Sequence, residues 1–198
     1  MAVSLTPLAV AVLALLAERP MHPYEMYQLT IERREDRLVK VRPGSLYHTV
    51  ARLARDELVR AIGVDREGNR PERTTYEITE PGQVALRSWI TEALGTPMAE
   101  YPRFSLAVAE SHNLPKDEVI ALLRRRRELV DRRRDELVGG VEDAERAGVP
   151  ALFHLDIGYS IAIAEAESRW LGATLDDLTS GRLGWLDCLP TAPTHRTN

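Results

Sequence analysis

The 198-residue sequence predicts a mainly α chain in two parts: three helices, two strands and a fourth helix, then an all-helical region. Three observations point there. Helix-type apolar spacing recurs through most of the chain. Period-2 alternation is confined to two short runs around one polar turn. Aromatics make up only 6% of the residues, so the core is aliphatic and suits packed helices better than a β-sandwich.

The elements follow in order. Thr6 is a good N-cap and Pro7 fits the first helical position, where a missing N–H costs nothing. Leu8, Val12, Leu15 and Leu16 then form an apolar face until Pro20, and the apolar character all round implies burial on more than one side. A second helix is expected over 23–34, with Tyr24, Tyr27 and Ile31 along one face and Met26 and Leu29 beside them. A third opens at Pro43 and closes near Asp56, with Leu46, Val50 and Leu53 inward and Ser45, His48, Thr49, Arg52 and Arg55 outward. Residues 58–64 and 73–79 read as strands around a polar turn rich in Gly, Asn, Pro and charge. Thr79 caps a fourth helix reaching about Leu94, with Leu86, Ile90 and Leu94 inward. This succession is that of a winged helix-turn-helix. Gly95-Thr96-Pro97 breaks the pattern, so 1–95 is read as one domain and 96–178 as a second, all-α one. Helices are expected there to about Ser111, over 115–147 and over 151–178, the long one weakened or bent at Gly139-Gly140. Residues 179–198 lack periodicity and read as a flexible tail.

Composition narrows the function. The single cysteine, Cys188, excludes an internal disulfide framework and a thiolate zinc cage. The longest apolar run, residues 7–17, falls short of the roughly 20 residues a membrane span needs, and no basic residue precedes it, so a cytoplasmic protein without membrane association is expected. The net charge of −4 argues against nucleic acid only until it is divided. Residues 1–95 carry 13 basic and 13 acidic residues, and the stretch 37–73 carries nine basic against five acidic, a local excess able to attract phosphate.

The third helix is the candidate reader. A helix entering the major groove needs short donors and arginine on its early turns and an apolar back to seat it. Pro43 and Gly44 open this one, Ser45, His48, Thr49 and Arg52 supply the donors, and Tyr47 lies near the backbone. In the turn that follows, Arg66, Asn69, Arg70 and Arg73 suit phosphate or the minor groove. A merely solvated amphipathic helix shows the same face, so periodicity alone leaves the choice open.

Three segments carry a family resemblance. Leu15-Leu16-Ala17-Glu18-Arg19-Pro20-Met21-His22-Pro23-Tyr24-Glu25-Met26 resembles the opening of PadR-family transcriptional regulators. Val41-Arg42-Pro43-Gly44-Ser45-Leu46-Tyr47 with Leu53 resembles that family's recognition-helix signature, and Tyr76-Glu77-Ile78-Thr79-Glu80-Pro81-Gly82 resembles the end of its wing. The chain departs from the pattern at Pro23, where the family usually has Gly, and at His48, where it often has Pro. The resemblance implies a winged-helix DNA-binding domain, with Tyr24 near the interface, and a helical dimerisation domain. The reading adopted is a homodimeric regulator on double-stranded DNA with a palindromic operator. It is taken as a repressor, with activator left open because operator position decides between them, and is released by a small hydrophobic or phenolic effector of the kind the resemblance implies. The alternative is a dimeric adaptor whose winged domain binds protein.

In the second region, Arg124 to Arg127 and Arg132 to Arg134 suggest a further DNA surface, but acidic residues at i,i+4 (Arg124–Glu128, Arg127–Asp131, Arg132–Glu136) favour a self-paired helical strut. Val119, Leu123, Val130, Leu137 and Ala144 form its apolar seam. Leu152, Leu155, Tyr159, Ala162 and Ala166, with Trp170 beyond, make an apolar stripe suited to a second subunit or to an intramolecular hairpin; the dimer is the reading adopted. Trp89, Phe104, Phe153 and Trp170 are candidates for an effector pocket, with plain core packing as the alternative. The five histidines share no ligand spacing, and no phosphate-binding glycine loop or nucleophile elbow occurs, so no catalysis, metal or cofactor is expected.

Overall fold

The computed structural model describes residues 4–65 and 73–185. The chain divides into two compact units, Met1–Ala99 and Glu100–Asn198.

The first unit is built around α1 (Pro7–Glu18), capped by Thr6, whose Oγ1 accepts from the Ala9 N–H at 3.3 Å. Ala9, Val12, Leu13, Leu15 and Leu16 are all buried, so α1 is covered on several sides, as its continuous apolar sequence requires. In α2 (Pro23–Glu32) the buried face is Pro23, Met26 and Thr30, while Tyr24 and Ile31, expected to share a face with Tyr27, are exposed. Thr30 tolerates burial because its hydroxyl donates to the Met26 carbonyl at 2.8 Å. Arg34, in the left-handed region at φ 55°, ends this segment. Next come α3 (Pro43–Arg55) and the antiparallel pair β1 (Val59–Asp65) and β2 (Arg73–Ile78). Their register runs from Val59 opposite Ile78 to Asp65 opposite Arg73, with an irregularity between Ala61 and Gly63.

Met21 forms a further rung that the sequence does not announce. Its N–H and C=O exchange 3.0 Å bonds with those of Tyr76, so the turn after α1 lies against the far edge of β2. Thr79 caps α4 (Glu80–Gly95): its Oγ1 accepts from the Gly82 N–H at 3.2 Å and donates to the Glu57 carbonyl at 2.8 Å. Only Gly82 and Leu86 of α4 are buried. Ile90 and Leu94, expected inward, are 41% and 85% exposed, because the core of this unit reaches only the first half of the helix.

A surface ion pair adds a testable pH dependence. Arg33 donates to both carboxylate oxygens of Glu18, at 2.6 and 2.8 Å. These hydrogen bonds from Arg33 hold the Glu18 carboxyl below its ordinary value of 4.5. A lowered carboxyl stabilises the fold above its unfolded value, and the contribution disappears as pH falls through the folded one. Both side chains are nearly half exposed, so the pair contributes under about 1 kcal/mol. Arg33→Ala is expected to lower the denaturation midpoint slightly near neutral pH. In acid titrations the gap to the parent should close below the Glu18 value; a gap independent of pH would contradict the assignment.

The second unit holds α5 (Arg103–Ala109), the long α6 (Lys116–Arg146) and α7 (Leu155–Ser180). Val119, Ile120 and Leu123 of α6 form its core with Leu171, Leu175 and Leu178 of α7, so the two helices run antiparallel. Further along α6 the contacts become polar. Arg126 pairs with Glu167 at 2.5 Å, and Asp131 accepts from the Ser168 hydroxyl at 2.6 Å. Gly172 permits this approach: a Cβ there would lie 3.1 Å from the Arg127 guanidinium. Of the intrahelical pairs expected, Arg127–Asp131 forms at 3.9 Å, whereas Arg132 donates to the Glu128 carbonyl at 3.3 Å. The helix continues without a break through Gly139 and Gly140. Thr179 and Ser180, read as the start of a tail, close α7; Gly181, at φ 78°, ends it in the left-handed region that glycine adopts without strain. Trp185 donates its indole N–H to the Leu114 carbonyl at 3.0 Å and packs on the hairpin core. The rest of the expected tail, 186–198, lies outside the described residues.

Candidate nucleic-acid interface

Pro43 forces Arg42 into extended backbone and opens α3, and Gly44 follows with no atom within 4 Å of where a Cβ would stand. Ser45 secures this end: its hydroxyl accepts from the Arg42 N–H at 3.1 Å and donates to the Arg42 carbonyl at 2.8 Å. Ser45 therefore has a capping role as well as an exposed position. Leu46, Val50 and Leu53 are each 1% exposed and seat the helix on the core.

The opposite face is narrower than the sequence suggests. Tyr47 and His48 are exposed, but Thr49 is buried and donates to the Ser45 carbonyl at 2.8 Å. Thr49 thus belongs to the helix's own support and is removed from the set of outward donors. Arg52 is half-buried, its Nη2 donating to Thr6 Oγ1 at 3.0 Å. His22 joins two helix starts. Its Nδ1 accepts from the Tyr24 N–H at 3.0 Å, capping α2, and its ring meets that of Tyr47 edge-on with centroids 6.0 Å apart. A neutral His22 accepting at Nδ1 carries its proton on Nε2. Tyr24, Tyr47 and His48 therefore lie exposed around a region fixed by backbone bonds.

Of the turn residues, Arg66, Asn69 and Arg70 lie outside the described residues, and the Arg73 backbone pairs with Asp65. Among the described residues no three His, Cys, Asp or Glu side chains gather in a metal-binding group, and no helix is long and apolar enough to cross a membrane.

Residues 12–88, from the middle of α1 to the middle of α4, match the Transcriptional regulator PadR-like family. Over this span the winged-helix unit is similar to that family. The chain also folds like Bacillus subtilis PadR solved in complex with operator DNA, with a TM-score of 0.71 at 18% identity over 86% of this chain and 98% of that one. The same protein solved with p-coumaric acid gives a TM-score of 0.71 at 16% identity over 88% and 99%. The Vibrio cholerae virulence activator AphA gives 0.62 at 18% identity over 88% and 99%. At these identities the likeness concerns the fold. No curated protein matches the chain in sequence.

Two sets of residues are expected from the sequence to serve assembly and small-molecule binding. Leu152, Leu155, Tyr159, Ala162, Ala166 and Trp170 are all exposed on one side of the α7 segment, opposite Ser168, Leu171 and Leu175. Phe104 meets Trp170 edge-on at 6.0 Å with the Arg126 guanidinium 3.5 Å from its ring centre, so these two aromatics are joined to each other and to the α6–α7 ion pair. Phe153 is 72% exposed, and Trp89 lies in the other unit. A cleft of about 390 Å³ between the start of α6 and the end of α7 is lined by other residues, among them Lys116, Ile120, Arg124 and Leu178.

Sequence reasoning missed the Thr6–Arg52 bond and the His22–Tyr47 contact. A polar residue capping one helix gives no local sign that it also receives a side chain from another.

Proposed function

We propose that this PadR-like regulator acts as a homodimeric repressor that reads a palindromic operator with α3. The observation that carries the reading is the presentation of Tyr47 and His48 on the early turns of a helix whose opposite face is fully buried. Early-turn side chains of such a helix reach base edges in the major groove, and Gly44 lets the backbone come close to phosphate. Ser45 serves mainly to fix the end of α3, while Arg66, Asn69, Arg70 and Arg73 of the turn contact phosphate or the neighbouring minor groove. The exposed α7 stripe pairs two copies so that two half-sites are read together. A small hydrophobic or phenolic molecule releases the operator; the B. subtilis complex with p-coumaric acid supports that part, with Phe104 and Trp170 as the first residues to examine.

The test starts from a duplex that the full chain enriches from a randomised pool. Affinity for it is expected to fall steeply with salt, the logarithmic slope being about 0.9 per phosphate neutralised. His48→Ala is expected to weaken that duplex by roughly 10-fold, within the cost of about 1–3 kcal/mol for a good base contact, while sparing a scrambled one. Salt-independent association with protein and no enriched duplex would instead favour the adaptor.

A further inference from the structure

We infer that Arg52 is a positioning residue: it ties the reading helix to the start of α1 through Thr6 and reads no base itself. The inference rests on the proposed DNA-reading role of α3. Three observations support it. Arg52 lies nine residues beyond Pro43, about 13 Å along the helix axis at 1.5 Å per residue, whereas base edges are met by the first turns. It is half-buried while Tyr47 and His48 are exposed. Its partner is a hydroxyl already in structural use, since Thr6 Oγ1 receives both the Ala9 N–H at 3.3 Å and Arg52 Nη2 at 3.0 Å. Two donors fill the two lone pairs of one oxygen. The link spans 46 residues of chain and joins the cap of the central helix to the third turn of the reader. The angle at which α3 leaves the unit is thereby coupled to the position of α1, and groove insertion depends on that angle.

A double-mutant cycle decides the matter, using the full chain and the duplex that the parent enriches. Thr6→Ala and Arg52→Ala are each expected to weaken binding by roughly 3–10-fold, the range corresponding to one lost hydrogen bond. The double variant should bind no more weakly than the weaker single, because both remove the same bond. Thr6→Ser keeps the acceptor and the cap, and should bind like the parent. Arg52→Ala, put through the same selection, should return the parent's base preferences. Losses that multiply in the double variant, a single base preference lost in Arg52→Ala, or a Thr6→Ser protein as weak as Thr6→Ala would each overturn the inference. Measurements are made well below the unfolding midpoint of every variant, so that loss of the α1 cap is not read as loss of the link. A parent chain that enriches no duplex removes the proposed function and this inference together. Binding with multiplicative losses removes the inference alone.

Discussion

Aspartate placed at both Leu155 and Tyr159 is expected to convert the protein to a monomer in sedimentation and to weaken operator binding by roughly 10²–10⁴-fold, the gain that linking two half-site contacts provides. Both side chains are more than 60% exposed in the single chain, at 64% and 71%, so the substitutions leave the α6–α7 core untouched. In a dimer joined through this stripe, the same carboxylates would be taken from water without partners, at a cost of several kcal/mol. The contrast gives the experiment its control: thermal unfolding of the helical unit stays near that of the parent while assembly is lost. A double variant that still sediments as a dimer and binds the operator as tightly as the parent would mean that the subunits meet elsewhere. The exposed Ile90 and Leu94 of α4 would then be the next surface to test.

Gly82→Ala should be the most damaging small substitution in the winged-helix unit. Ordinarily alanine stabilises a helix interior relative to glycine by about 0.5–1 kcal/mol. At Gly82 a Cβ would lie 2.1 Å from the Leu58 carbonyl oxygen and 2.9 Å from Ile78 Cγ1. That carbonyl accepts the Thr79 N–H at 3.1 Å, so moving it away disturbs the cap of α4 and the start of β1 together. The net effect is expected to be destabilising by about 1–3 kcal/mol, as for other overpacked sites. Gly139→Ala serves as the comparison, because beyond its chain neighbours and its own helix backbone nothing lies within 4 Å of its added Cβ. It should raise the unfolding midpoint or leave it unchanged. Equal behaviour of the two variants would contradict the close approach of α4 to Leu58.

Much of this architecture is legible in the chain because it is local. The caps at Thr6 and Thr79 act over three residues, on the N–H groups of Ala9 and Gly82. The buried face of α3 follows from Leu46, Val50 and Leu53 recurring with the helical period. The strands around the polar turn follow from alternation and turn chemistry, and α6 and α7 from their length and apolar seams. The family resemblance rests on the same local segments, and the match over residues 12–88 covers them.

What tertiary structure decided lies between segments. Periodicity gives an apolar direction on a helix but not the element that covers it. For this reason Ile90 and Leu94 point away from the core of their own unit, and the α7 stripe stays exposed in one chain. Thr49 has the residue type of an outward donor, yet the packing of α3 buries it, and only a bond to the carbonyl one turn back makes that tolerable. Met21 pairs with Tyr76, and Arg52 with Thr6, because folding brings together segments with no local signal of each other. A side chain's type and helical position state what it can donate. The atom that receives the donation is set by the three-dimensional path of the rest of the chain, and at Arg52 that atom is Thr6 Oγ1, 46 residues away.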